Sequence, residues 1–267
     1  MRRGVLVLLV LPLTLAACGG GGTSEQANEA KLSPVAFVKG AATKTAQAKT
    51  EHMALKGSVS VGGQLVTITG EGDFDNTNRL GSLHLTFNAG GLSGDIDEVI
   101  SGTLIYMRST LFADALPKGK TWISIDLEKA AARKGIDLSS LGAQDPTQTF
   151  AQLRALGNVT EVGEETVDGA DTTHYRGHID PAKLPQGAKV KALTNATYGP
   201  YDVWVGKDDG YVRRVKLSFV IGAAAAGRQR IATTVDFSNF NEAVNVTAPS
   251  DAETLDATTL SIPGLGG

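Results

Sequence analysis

The spacing of apolar residues divides the chain into a helical start and a long β-rich remainder. Over residues 33–49 the spacing is helical: Val35, Val38, Ala42 and Ala46 share one face, with Phe37 and Ala41 on its flank. Ser33 followed by Pro34 is an N-cap with proline at the first helical position, so a helix is predicted from there to about residue 49. From His52 the period becomes two. Met53, Leu55, Gly57, Val59 and Val61 share a face, Gly62 and Gly63 make a turn, and Val66, Ile68, Gly70, Gly72 and Phe74 return. After Asn76-Thr77-Asn78 come Leu83, Leu85, Phe87 and Ala89, and residues 94–100 and 103–108 read as two more strands. Such alternation predicts an antiparallel meander with one buried face and one wet face.

Residues 121–127 form a further strand with Ile123, Ile125 and Leu127 inward, leading into an alanine-rich helix over 127–134. A second helix is predicted over 145–156, with Phe150, Leu153 and Leu156 on its buried side. Strands then fall at 160–167 and 172–179 around the Asp168-Gly169 turn, and at 201–207 and 211–221 around Asp208-Asp209-Gly210. The last strand is expected at 230–240. One domain over 33–247 results, and 248–267 reads as a polar, partly loose tail. The fold class is α+β, an antiparallel sheet with helices on its apolar face.

The inward positions carry large residues: Phe74, Leu83, Leu85, Phe87, Ile105, Met107, Val215, Leu217, Phe219, Ile221, Val235 and Phe237. The helices that should cover them offer Ala41, Ala42, Ala46, Ala130, Ala131 and Ala132. Either those helices sit very close to the sheet, or the space between is left for a ligand. The residues alone leave both readings open. If Phe219 and Phe237 line a lumen beside Ala41 and Ala42, Ala42→Trp fills empty space at little cost; in a close-packed core it overpacks.

The N-terminus changes the setting. Arg2 and Arg3 precede an apolar run over 5–15 that is shorter than the ~20 residues of a membrane span, and small residues follow it. Residues 1–17 read as an export signal. Leu15-Ala16-Ala17-Cys18 resembles the lipobox of bacterial lipoproteins, in which the cysteine is lipidated and becomes the first mature residue. Residues 18–32 form a glycine-rich and polar linker, whose ~14 residues reach roughly 20 Å. Losing 1–17 removes two arginines and no acid, so the formal charge falls from −3 to −5, against nucleic acid as a partner. Cys18 is the only cysteine, which excludes a disulfide within the chain, thiol catalysis in the domain and a cysteine zinc site.

Two strand pairs carry a family resemblance. Leu104-Ile105-Tyr106-Met107-Arg108 with Lys120-Thr121-Trp122-Ile123-Ser124-Ile125-Asp126-Leu127 is one. Residues 163–169, Gly-Glu-Glu-Thr-Val-Asp-Gly, with Thr173-His174-Tyr175 are the other. Together with the lipobox, the leading helix and residues 249–253, Pro-Ser-Asp-Ala-Glu, their order resembles actinobacterial envelope lipoproteins of the LppX/LprA/LprF/LprG group. The resemblance implies a LolA/LolB-like fold, a curved antiparallel half-barrel with helices in its concave side. It also implies an apolar pocket for the acyl chains of envelope lipids, lipoglycans or triacylglycerol. The alanine-rich stretch 222–227 departs from that pattern and reads as a flap or insertion.

Catalytic chemistry finds few candidates. Of the four histidines only His174 and His178 are close, and on one strand they stand about 13 Å apart, too far to share a metal. No hydrolase elbow, zinc-protease helix or phosphate-binding loop occurs. Asp95-Ile96-Asp97-Glu98 lacks the full calcium-loop pattern and reads as a solvated strand face or turn. Arg213 has the parity of Val215 and Phe219; it either snorkels at a sheet end or meets an anionic head group at a pocket mouth, while Arg214 should face water.

The expected function is a non-enzymatic lipoprotein, anchored by Cys18 to the outer leaflet of the cytoplasmic membrane. It would carry or present an acylated lipid or lipoglycan, with a membrane transporter as a further partner. The competing expectation is a structural or interaction module with a fully packed core and no lipid.

Overall fold

Ser33 caps the first helix as predicted: its Oγ accepts a hydrogen bond from the Ala36 N–H, and Pro34 opens α1, Pro34–Thr45. The structure, a computed structural model, describes residues 32–61, 64–133, 153, 156–179, 196–223 and 227–259. The predicted export signal and nearly all of the linker therefore lie outside the described residues, as do 145–152, 154 and 155 of the predicted second helix. The helix ends earlier than expected, at Thr45. Its hydroxyl donates to the Ala41 carbonyl and accepts from the Val212 N–H, each at 2.8 Å, which stitches the helix end to the sheet.

Twelve strands follow among the described residues. The first five are β1 (Thr50–Val61), β2 (Gln64–Asp75), β3 (Leu80–Ala89), β4 (Leu92–Ser101) and β5 (Leu104–Ser109), each hydrogen-bonded to the next. A single 3-10 turn, Ala113–Ala115, leads to β6 (Trp122–Asp126), which runs into α2 (Leu127–Arg133). Then come β7 (Leu156–Val167), β8 (Ala170–Ile179), β9 (Thr197–Gly206), β10 (Val212–Ala223), β11 (Gly227–Ser238) and β12 (Thr254–Asp256). They make one curved open sheet in the order β12-β6-β5-β4-β3-β2-β1-β11-β10-β9-β8-β7, antiparallel except where β12 runs parallel to β6.

Several boundaries differ from the sequence reading. Leu156, expected on a helix, begins β7, while Leu153 is helical and fully buried. The alanine-rich stretch is strand at both its ends, since Gly222 pairs with Arg228 and Ala223 with Gly227; residues 224–226 lie outside the described residues. The stretch read as a polar tail supplies β12. The Thr121 and Trp122 N–H groups both donate to the Glu253 carbonyl, and Ala257 donates to Ser124 at 2.8 Å, so a sheet edge takes up the backbone of this segment.

The core lies between α1 and one half of the sheet. Val38 and Ala42 are fully buried and Ala41 nearly so, in one cluster with Leu156, Val159, Tyr175, Tyr201, Val203, Val205, Val212, Val215 and Phe237. The small residues of α1 therefore reflect close approach to β7, β9 and β10, the bland answer to the alanine puzzle. Among the described residues, Ala42 is walled in by this cluster, with no lumen beside it. Phe237 packs with Ala42, but Phe219 lies outside that cluster, half-buried against Tyr198 at 5.8 Å between ring centres. α2 touches β6, and Ala132 on it is exposed.

Candidate functional site

Cross-strand register places every predicted apolar site residue on one face. One row reads Phe237, Met53, Gly72, Leu83, Glu98, Met107 and Ile123 across β11, β1, β2, β3, β4, β5 and β6. The next reads Val215, Val235, Leu55, Gly70, Leu85 and Ile96, and Leu217 and Phe87 share the row after. Phe219 and Ile221 continue the face along β10, and Phe74 and Ile105 continue it on β2 and β5. Helix α1 covers part of this surface. Phe74, Val215 and Phe237 are buried, whereas Leu83, Leu85, Phe87, Ile105, Met107, Leu217, Phe219, Ile221 and Val235 are only half-buried.

Glycines set the height of this surface. Phe74 lies over its cross-strand partner Gly81, Phe87 over Gly94 and Leu85 over Gly70. A Cβ on each glycine would stand 2.5, 2.9 and 2.5 Å from those side chains. The large residues therefore lie along the sheet instead of standing away from it, an arrangement only a partner without a side chain permits. A low apolar floor results.

The reading of the residues missed one group on that floor. Glu98 stands between Leu83 and Met107 across the strands, with Ile96 and Ile100 on either side along β4. Burial pushes its carboxyl above the usual glutamate range. Strand parity was the signal: Glu98 alternates with Asp95 and Asp97 onto the other side. Those two aspartates do occupy the solvated face. His84 Nδ1 meets Asp97 at 2.7 Å, Arg108 donates twice to its other oxygen, and the Arg108 guanidinium lies 4.6 Å over the Trp122 ring. Burial alone would raise the Asp97 carboxyl, but the hydrogen bonds from His84 and Arg108 hold it below its ordinary value.

The same polar face holds a second network. His174 and His178 both lie on β8, as the strand reading required. His174 is buried between Glu165 at 3.0 Å and Asp202 at 2.8 Å and stacks on Trp204 at 4.1 Å, while Arg176 also binds Asp202. The Trp204 N–H lowers the Glu165 carboxyl. Arg214, expected to face water, pairs with Asp236 on this side and is half-buried. Arg213 pairs with Asp209 of its own hairpin and lies 5.0 Å over Phe240. It stands at the β9–β10 turn.

The profile of the LppX_LprAFG lipoprotein family matches residues 33–246. The chain belongs to that family. An uncharacterized 31.2 kDa protein from the rplA–rplJ intergenic region of Streptomyces griseus is 28% identical over 253 residues, spanning 85% of this chain and 80% of its own. The crystal structure of lipoprotein LppX from Mycobacterium tuberculosis aligns at 16% identity with a TM-score of 0.49, over 80% of this chain and 98% of its own. LprF from Mycobacterium bovis aligns at 14% identity with a TM-score of 0.48, over 81% and 97%.

Proposed function

We propose that this lipoprotein binds the acyl chains of an envelope lipid or lipoglycan on the apolar face of its sheet and carries or presents them. It does so tethered through Cys18 to the outer leaflet of the cytoplasmic membrane. The observation that carries the reading is the half-buried apolar floor of β2 to β5, continuous with the packed core under α1. Large exposed apolar surface is costly to maintain in water and marks a binding surface. The mode of action is partition and not catalysis. At about 0.8 kcal/mol per buried methylene, a sixteen-carbon chain gains on the order of 10 kcal/mol when fully enclosed. Partial cover lowers that gain and allows the chain to be handed on.

The test uses protein produced without residues 1–17 and with Cys18 replaced by serine, purified without detergent. Native mass spectrometry and organic extraction should show co-purifying acylated lipid. Lipid-free protein that also fails to bind a fluorescent fatty-acyl probe would instead identify a structural or interaction module.

A further inference from the structure

The two ends of the sheet differ in chemistry. At one end lie the strand ends Val61 and Gln64, Ala89 and Leu92, and Ala223 and Gly227, side by side because the strand order is β4-β3-β2-β1-β11-β10. Residues 60–67, 87–94 and 219–230, which span those ends, contain no acid, and their charges are Arg228 and Arg230. Leu65 and Leu92 at this end are 59% and 57% exposed, and Leu111, just past β5, is 51% exposed. The opposite end carries Asp75, Asp168, Asp208 and Asp209 at its turns together with Arg79 and Lys207, and Lys44 and Arg213 both bind Asp209.

We infer that the Leu65, Leu92 and Leu111 end is a rim that docks on an anionic bilayer, resting on the lipid-binding reading above. Exposed leucines on adjacent connections enter the interfacial region, and Arg228 and Arg230, both exposed, meet lipid phosphates. The far end mixes acids with bases and presents no exposed large apolar side chain at its turns among the described residues, so it offers no such contact, which orients the molecule. The rim is also where the apolar floor begins. Leu92 pairs with Ala89 in the register row of Val66, Val59, Ile231 and Phe219, and Leu111 lies against Gly94 beside Phe87. An acyl chain leaving the bilayer here reaches the floor without passing the ion pairs of the polar face.

The test is co-sedimentation of the unlipidated protein with phosphatidylcholine vesicles containing 30% phosphatidylglycerol, beside pure phosphatidylcholine vesicles. Wild type should bind the anionic vesicles at least tenfold more tightly. The triple variant Leu65→Ser, Leu92→Ser, Leu111→Ser and the double variant Arg228→Ser, Arg230→Ser should each lose at least tenfold. Arg79→Ser with Lys207→Ser, which removes the same charge at the far end, should lose less than twofold. Each variant is also given a fatty-acyl probe delivered from cyclodextrin. Unchanged uptake from solution with lost vesicle binding supports the rim. Uptake from solution by a wild type that ignores the vesicles, or equal losses at the two ends, overturns the rim while leaving lipid binding in place. No uptake by any protein from either source overturns the lipid-binding reading, and the rim with it.

Discussion

Replacing Ala42 with Trp separates the packed half of the apolar face from the open half. Ala42 is fully buried in the cluster that joins α1 to Val203, Val212 and Phe237, so an indole has nowhere to go without moving helix or sheet. Overpacking of a tight core costs about 1–3 kcal/mol and occasionally more, and a change as large as Ala to Trp belongs at the upper end. For a domain of this size about 1 kcal/mol shifts the melting temperature by roughly 2–4 °C, so a fall of about 6–12 °C is expected. Leu85→Trp is the counterpart on the floor. Leu85 is half-buried and lies over Gly70, where a flat aromatic ring finds room, so its melting temperature should stay within about 2 °C of the parent. The same variant should weaken acyl-probe uptake several-fold, because the indole occupies ligand space. Differential scanning calorimetry and probe fluorescence on lipid-free protein measure both. An Ala42→Trp protein that melts with the parent would refute the close packing of α1 on the sheet.

Thr45→Val leaves the buried Val212 N–H without its acceptor and should cost about 1–3 kcal/mol, read as a lowered urea midpoint. Glu98 adds a pH dependence of known sign. Its folded carboxyl is raised by burial, so its contribution is fully present below the ordinary glutamate value and is lost as pH rises through the raised one. Glu98→Gln, which cannot ionise, should therefore flatten the melting temperature between pH 4 and pH 8, and an unchanged slope would remove Glu98 as its source. Glu165 and Asp97 act in the opposite sense. Their lowered carboxyls contribute stability above the ordinary values that is lost as pH falls through the folded ones, so Glu165→Gln should blunt acid unfolding. Cys18→Ala in the full chain should move the protein from the membrane pellet to the soluble fraction of a detergent-free lysate; continued sedimentation would count against the lipid anchor.

The alternation of residues from Met53 to Met107 was enough to place Leu83, Leu85, Phe87, Ile105 and Met107 on one side of a meander. Strand parity is a local property, and each hairpin turn is written in adjacent residues. The capped start of α1 was legible for the same reason. Membership of a lipoprotein family was legible in the order of the strand pairs. Other decisions lie in contacts between residues far apart along the chain. Whether Ala42 faces a cavity or a packed wall depends on how closely α1 approaches Val203 and Phe237, roughly 160 and 195 residues downstream. That β12 joins β6, and that Arg214 meets Asp236, depends on pairings no local periodicity contains. The low floor belongs to tertiary structure as well. Phe74, Leu85 and Phe87 lie along the sheet because register sets each beside a glycine on the neighbouring strand, and register between strands is a property of the assembled sheet.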